Sequence, residues 1–180
     1  MKMKINGPTS ISDLSIRPLV ASDARDVLDL LGEVFSRCRT TLTSAEEFAF
    51  SEEQERDYLL KFSKAPNLAL GAFRASSLLG TIFLEQLPHL RTRHRGSIGL
   101  SVHPDSWSRG IGSRLLQALI PQAQASSELR SIEASVLANN PYSERLFRSA
   151  GFRLDAVHRE AAFIDGVYLD EKYFDLRLRK

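Results

Sequence analysis

A short glycine-rich stretch, Arg109-Gly110-Ile111-Gly112-Ser113, carries the clearest chemical signal in the sequence. Glycine allows a backbone to approach a ligand closely, and the free N–H groups at the start of a helix attract anions. Arg109 adds a positive charge beside them. The stretch therefore predicts a loop that binds a phosphate group, although a simple glycine turn between a strand and a helix is the alternative on these residues alone.

The residues on either side predict the elements that hold this loop. Leu100 and Val102 alternate with polar neighbours, which is typical of a half-buried strand, and Pro104 ends that strand. An apolar stripe with helical spacing follows the loop, at Ile111, Leu115, Leu116, Leu119 and Ile120. A dinucleotide fingerprint is excluded because Leu115 replaces its third glycine, and a P-loop because Ser113-Arg114 replaces its lysine and hydroxyl residue.

Length and composition are those of one soluble globular domain. The chain has 180 residues, 43% hydrophobic and 26% charged, with a net charge of +2, which gives no case for nucleic-acid binding. No apolar run reaches the length of a membrane span, and the single cysteine, Cys38, cannot form an intramolecular disulfide. We expect a cytoplasmic protein without a membrane anchor, with a loose leader over residues 1–13 and one domain over residues 14–180.

Periodicity along the chain predicts the element order β-α-α-β-β-β-α-β-α-β-β. Strands are expected at residues 14–19, 68–74, 78–87, 98–102, 131–137, 152–163 and 167–178. This order implies an α/β fold with a mixed, mostly antiparallel twisted sheet and flanking helices. A parallel step is expected only across the helix that follows the glycine loop.

Local signals predict where several helices begin and end. Ser22 is a candidate N-cap for the first helix, and Asn140, followed by proline, for the last. Ser44 and Glu47 have the spacing of a capping box, which predicts one helix or a broken pair of helices after residue 44. Pro121 is expected to end or kink the helix after the glycine loop.

The glycine loop resembles the pyrophosphate loop of the GNAT family, the Gcn5-related N-acetyltransferases, which bind acetyl-CoA. The family pattern is Arg or Gln, two residues, Gly, one residue, and then Gly or Ala. Gly110 and Gly112 match it, and Trp107 stands at its first position as a departure.

Three further segments resemble the same family in the same order. Residues 16–24 resemble its opening strand and helix, and residues 136–152 resemble its second cofactor motif. Residues 165–170 resemble the terminal hairpin of the subgroup that acts on free amino acids and small amines. The resemblance therefore covers most of the chain.

The resemblance implies that an amine attacks the thioester of acetyl-CoA, which serves as co-substrate. The expected contacts of acetyl-CoA are Leu100, Val102, Trp107, Ser108, Arg109, Gly110, Ile111, Gly112, Ser113, Asn140, Ser143 and Phe147. No metal is expected, because His89, His103 and His158 lack the spacing of metal ligands.

The attacking amine must first lose a proton, because a free amine is largely protonated at pH 7. Glu85 and His94 are the preferred candidates to take it through water, with Ser97 as a third. An exposed or ion-paired glutamate and an ordinary loop histidine are the alternatives. Phe147 stands where many family members carry a tyrosine that protonates the departing thiolate, which leaves the general acid open.

Acetylation of a primary amine on a small molecule, such as an amino acid, is the predicted function. Arg91, Arg93 or Arg95 would suit a carboxylate on that acceptor. One alternative is a non-catalytic module that binds acyl-CoA or a protein partner. Another is acetylation of a protein N-terminus, which requires an open acceptor groove. A homodimer is left open.

Overall fold

The protein, described over residues 13–178 by a computed structural model, has seven strands and four α-helices in the predicted order. The strands are β1 (Leu14–Pro18), β2 (Leu68–Arg74), β3 (Ser77–Gln86), β4 (Arg95–Val102), β5 (Ser131–Leu137), β6 (Arg153–Ile164) and β7 (Val167–Arg177). The helices are α1 (Ala24–Arg37), α2 (Glu52–Leu60), α3 (Ile111–Ala125) and α4 (Pro141–Ser149). The predicted leader lies outside the described residues, apart from Asp13.

The strands form one sheet in the order β1-β2-β3-β4-β5-β7-β6. All neighbouring pairs are antiparallel except β4 and β5, which confirms the predicted mixed sheet. The parallel pairing is short: it begins at Arg95 opposite Ser131 and ends at Ser97 opposite Glu133. Both strands continue beyond that point, so they diverge and leave an opening in the middle of the sheet.

Helices cover the two faces of the sheet with separate cores. Leu115 and Leu119 of α3 pack with Ile82 and Leu84 on one face, called here the α3 face. Val27 of α1 packs with Leu59, Phe73 and other residues on the opposite face, called here the α1 face. Burying one such side chain contributes roughly 1.5–3 kcal/mol. Because side chains alternate along a strand, Phe83 and Glu85 belong to the α1 face.

Helix α3 does not end at Pro121 but runs on to Ala125, so the first of the two predicted outcomes is wrong. Proline inside a helix costs about 3 kcal/mol or more. Leu119 and Ala123, on either side of Pro121, are at most 1% exposed. The packing of both residues against the sheet outweighs the penalty of the proline.

Two predicted helix starts differ from those in the structure, because hydrogen bonds that the sequence does not reveal decide where each helix begins. Ser22 is not the N-cap of α1, because it lies in a single helical turn whose Asp23 accepts the N–H of Val20 and a bidentate bond from Arg17. Ser44 and Glu47 do form both hydrogen bonds of a capping box. These two bonds close a single turn that is not part of a helix. Helix α2 begins later, at Glu52, after a separate capping box.

The predicted ends of the last elements agree with the structure. Asn140 caps α4, since its side-chain oxygen accepts the N–H of Ser143 at 3.0 Å. Gly151, at φ +93°, follows the helix in the left-handed conformation that glycine adopts readily. The turn between β6 and β7 places Asp165 and Gly166 at φ +48° and +82°. Among residues 13–178, no helix is long and apolar enough to cross a membrane.

Candidate functional site

The opening between β4 and β5 forms a cleft with a volume of about 890 Å³. Its walls come from the end of α1 and the loop after it, the end of β4, the glycine loop with the start of α3, and the first turns of α4. Ten of the twelve residues predicted to contact acetyl-CoA line it; Arg109 and Phe147 do not.

The backbone of β4 turns unpaired groups toward this cleft. Leu87 donates its N–H to Arg95, and His103 donates to Leu79, so the odd-numbered residues of β4 bond to β3. The even-numbered Leu100 and Val102 therefore direct their N–H and C=O groups to the other side. Because β5 has already diverged, no strand of the described chain pairs with them there. This edge can accept an extended ligand as an additional strand.

Trp107, the departure from the family pattern, uses one of these groups. Its indole N–H donates to the carbonyl oxygen of Val102 at 2.7 Å. The ring is 47% exposed and forms part of the cleft wall. The indole thus occupies the last carbonyl of β4, while the N–H and C=O of Leu100 remain available.

The glycine loop turns its backbone N–H groups into the cleft through two left-handed residues. Ser108 has φ +58° and Gly110, the N-cap of α3, has φ +75°. The first N–H groups of a helix have no acceptor within it, so those of residues 111–113 are available to an anion. Gly112 has a different reason to be glycine: a Cβ there would stand 2.9 Å from Leu146 of α4 and 3.5 Å from Leu100.

Helix α4 contributes its N-terminal turn to the cleft and its opposite side to the core. Asn140 and Ser143 line the cleft, and Arg145 lies over the exposed ring of Tyr142. Phe147 is instead 5% exposed, with its ring 5.3 Å from that of Phe152. The structure therefore places Phe147 in the core behind the cleft wall.

The end of α1 and the loop after it line one wall of the cleft and are held by three contacts. Arg37 bonds Asp105 at 2.8 Å and thereby lowers the pKa of that carboxyl group. The side-chain amide of Asn139 donates to the backbone oxygen of Arg39 at 2.7 Å. The guanidinium of Arg39 also pairs with Asp165, in the turn of the β6–β7 hairpin, at 3.4 Å.

Beyond this loop, β5 and β7 present polar side chains on the α1 face that the sequence analysis did not identify. Tyr173 donates its hydroxyl to Glu171 at 2.9 Å, and its ring lies 4.4 Å from that of His158. Burial, the hydrogen bond to Glu171 and the charges of Glu171 and Glu133 raise the pKa of Tyr173. Alternation along β7 predicts that Glu171 and Tyr173 lie on one face of the sheet, but it does not predict the contact between them.

The two predicted proton acceptors lie apart from the cleft lining. Glu85 is exposed on the α1 face, opposite Ser97 in register. Burial and the nearby carboxylates of Glu85 and Glu55 raise the pKa of Tyr58 to about 12. His94 is exposed in the loop just before β4, at the end of that strand away from the cleft.

The arginines predicted to bind an acceptor carboxylate are not gathered at the cleft either. Arg91 and Arg93 lie in the same loop as His94, and Arg95 is held by an ion pair with Glu133. Within residues 13–178, no group of three or more His, Cys, Asp or Glu side chains could hold a metal ion. The expectation of no metal stays a prediction.

Solved structures of several acetyltransferases share this fold. The structure of YncA from Salmonella typhimurium with its cofactor acetyl-CoA has a TM-score of 0.84 and 18% identity, and covers 93% of this chain and 95% of that one. The acetyltransferase (GNAT) family model matches residues 29–152. The chain therefore belongs to the GNAT family, and its class of activity is acyl transfer, not that of a non-catalytic module.

Two curated relatives are similar over different lengths. The probable N-acetyltransferase YjcK of Bacillus subtilis (strain 168) is 28% identical over 170 residues, covering 87% of this chain and 90% of that protein. The ribosomal-protein-serine acetyltransferase of Escherichia coli (strain K12) is 30% identical over 98 residues, covering 54% of each. Both relatives are named as acetyltransferases, but only the second name states an acceptor, a serine of a ribosomal protein.

Proposed function

We propose that this protein transfers the acetyl group of acetyl-CoA to the primary amine of a small molecule, such as an amino acid. The observation that carries the proposal is a segment that bridges one side of the cleft. Arg37, at the end of α1, bonds Asp105, and Arg39, in the loop that follows, bonds Asn139 and Asp165, so this segment connects the turn before the glycine loop to the β6–β7 hairpin. A bridged cleft suits a small acceptor better than a protein surface.

The cleft residues fit acetyl-CoA, whose thioester supplies an acetyl group open to attack by an amine. The free N–H and C=O of Leu100 and the N–H of Val102 match the amides of an extended pantetheine arm. The N–H groups of residues 108–113, with Arg109, suit its pyrophosphate. An N–H near Val102 is the proposed donor to the oxyanion that develops during transfer.

The amine must reach the thioester uncharged, so a proton has to leave it first. Glu85 and His94 remain our candidates to take that proton through water, and their positions outside the cleft lining require such a water chain. Ser143 lines the cleft, where its hydroxyl can hold a water near the departing thiolate. Glu144 is instead held in ion pairs with Lys172 and Arg148, outside the cleft lining. A thiol with a pKa of about 8.5 leaves with little help near neutral pH.

Acetylation of a protein N-terminus is the second candidate. Two observations favour it: one relative is named for a ribosomal protein, and Ser135 together with most of β6 is exposed.

We place the protein in the cytoplasm on the grounds of its single free cysteine, and a homodimer stays open.

Two measurements test the proposal in sequence. Acetyl-CoA at a hundredfold excess over Kd should stabilise the fold by about 2.7 kcal/mol, which thermal unfolding detects. No shift at millimolar acetyl-CoA would contradict acetyl-CoA as co-substrate. A screen of primary amines with detection of released thiol then tests the acceptor, and acetylation of peptides alone would favour the second candidate.

A further inference from the structure

Strands β5 and β7 carry four carboxylates, and only one of them lacks a cationic partner. Three are paired with arginine: Glu133 with Arg95, Asp175 with Arg177, and Asp170 with Arg159. Glu171 is 6% exposed and forms no salt bridge within residues 13–178; its hydrogen-bond partner there is the hydroxyl of Tyr173. A carboxylate buried without a cation is costly, because it has lost the water that would solvate it.

Glu171 lies beside the cleft at the level of the unpaired β4 edge. Ser97 faces Glu133 where the strands still pair, so four residues further Ser101 and Leu137 stand on opposite sides of the opening. Ser101 lines the cleft, and Leu137 is the register partner of Glu171 on β7. Alternation puts the side chains of all three on the α1 face. An amine that approaches Leu100 from this face passes close to Glu171.

We infer that Glu171 binds the ammonium group of the acceptor, and that the preferred acceptors are amines without a neighbouring carboxylate. The inference rests on the proposed function and narrows the amines that the site accepts. An ammonium group would supply the missing cation through a charge-assisted hydrogen bond, and the ring of Tyr173 would add a cation–π contact. Glu171 thereby concentrates the protonated amine; the amine must leave this contact and pass its proton through water to the proposed acceptor, Glu85 or His94, before it attacks.

A free amino acid fits this site poorly because its own carboxylate would come close to Glu171. Three arginines line the cleft, and each already has a partner: Arg37 pairs with Asp105, Arg39 pairs with Asp165, and Arg145 lies over the ring of Tyr142. Outside the cleft, Arg95 pairs with Glu133, and Arg91 and Arg93 lie in the loop before β4. Amino amides, simple amines and peptide N-termini avoid the repulsion. The inference therefore sets these acceptors above free amino acids.

Alaninamide and alanine differ by one carboxylate and test this preference at saturating acetyl-CoA, with kcat/KM expressed per uncharged amine because the two amines differ in basicity. We expect kcat/KM for alaninamide to exceed that for alanine at least tenfold. Glu171→Gln, which can still accept the hydroxyl of Tyr173, should lower kcat/KM for alaninamide at least tenfold, mainly through KM, with the Kd of acetyl-CoA unchanged. Asp175→Asn on the same face is the control and should keep the preference. A preference for alanine, or an unchanged ratio in Glu171→Gln, overturns the inference.

Thermal unfolding without acetyl-CoA separates a binding role of Glu171 from a structural one. If the carboxylate is kept unpaired for a ligand, Glu171→Gln should raise Tm, and it should remove the Tm increase caused by alaninamide in the unsubstituted protein. Both Tm results can hold even if neither the variant nor the unsubstituted protein acetylates any amine. In that case the ammonium site at Glu171 stands and the proposed acetyl transfer fails. A lower Tm together with an unchanged response to alaninamide overturns the site and leaves acetylation untouched.

Discussion

The two sides of the cleft are built by different means. The proposed cofactor side is made mostly of backbone groups from one continuous stretch, from the edge of β4 through the glycine loop to the start of α3. The proposed amine side is formed by segments that are distant in the chain, as shown by the side chain of Asn139 bonding the backbone of Arg39, 100 residues away. Local geometry therefore shapes the proposed cofactor side, whereas tertiary contacts shape the proposed amine side.

Gly112→Val should break the cofactor side and produce the largest effect. A Cβ at this position would stand 2.9 Å from a terminal methyl of Leu146 and 3.5 Å from Leu100, so a valine side chain crowds the space that these two cleft-lining residues share. We expect the Kd of acetyl-CoA, measured by calorimetry, to rise at least a hundredfold, about 2.7 kcal/mol. Gly32→Val is the control, since a Cβ there meets nothing within 4 Å. Unchanged affinity in Gly112→Val would refute the crowding argument.

Phe147→Tyr should affect stability without affecting either side of the cleft. Phe147 is 5% exposed and has the rings of Phe152 and Phe174 beside it, so an added hydroxyl enters apolar surroundings, and a buried hydroxyl without a partner costs about 1–3 kcal/mol. Tm should fall by several degrees in a thermal scan, with kcat unchanged, and Phe147→Leu serves as the apolar control. A tenfold rise in kcat would mean that the hydroxyl reaches the thiolate as a general acid.

Asp165→Asn should loosen only the amine side. The change removes the ion pair between Asp165 and Arg39, whose side chains are 71% and 66% exposed. Asparagine tolerates the left-handed backbone at this position, so the turn itself is kept. An exposed pair contributes at most about 1 kcal/mol, so KM for the amine should rise no more than about fivefold, with the Kd of acetyl-CoA unchanged. High salt should reproduce this change in the unsubstituted protein, and a loss of acetyl-CoA binding would contradict the separation of the two sides.

Trp107→Phe should have the smallest effect, on the cofactor side. The change removes the donor to Val102 but frees that carbonyl for the cofactor, so the two effects offset each other and Kd should change by less than about threefold. Trp107 is the only tryptophan of the chain, so its fluorescence should report acetyl-CoA binding in the unsubstituted protein. A thirtyfold loss of affinity would show that the indole itself holds the cofactor.

The same contrast explains which features the sequence predicts. Gly110, the cap at Asn140 and the Asp165-Gly166 turn act through the backbone within a few residues, and the structure contains all three as expected. The burial of Glu171 and the position of Phe147 depend on which elements pack together, and periodicity does not determine that. Pro121 shows the limit of a local rule, because packing on both sides of it overrides the proline.

The divergence of β4 from β5 also has a consequence for hydrogen exchange. Neighbouring amides of one strand differ sharply in protection: the N–H of His103 is bonded to β3, whereas those of Leu100 and Val102 open into the cleft. In the free protein the two cleft amides should exchange with deuterium early while the rest of the strand stays protected. Bound acetyl-CoA should slow them to the rate of their neighbours, so that the edge of β4 records occupancy of the site as a change in exchange rate.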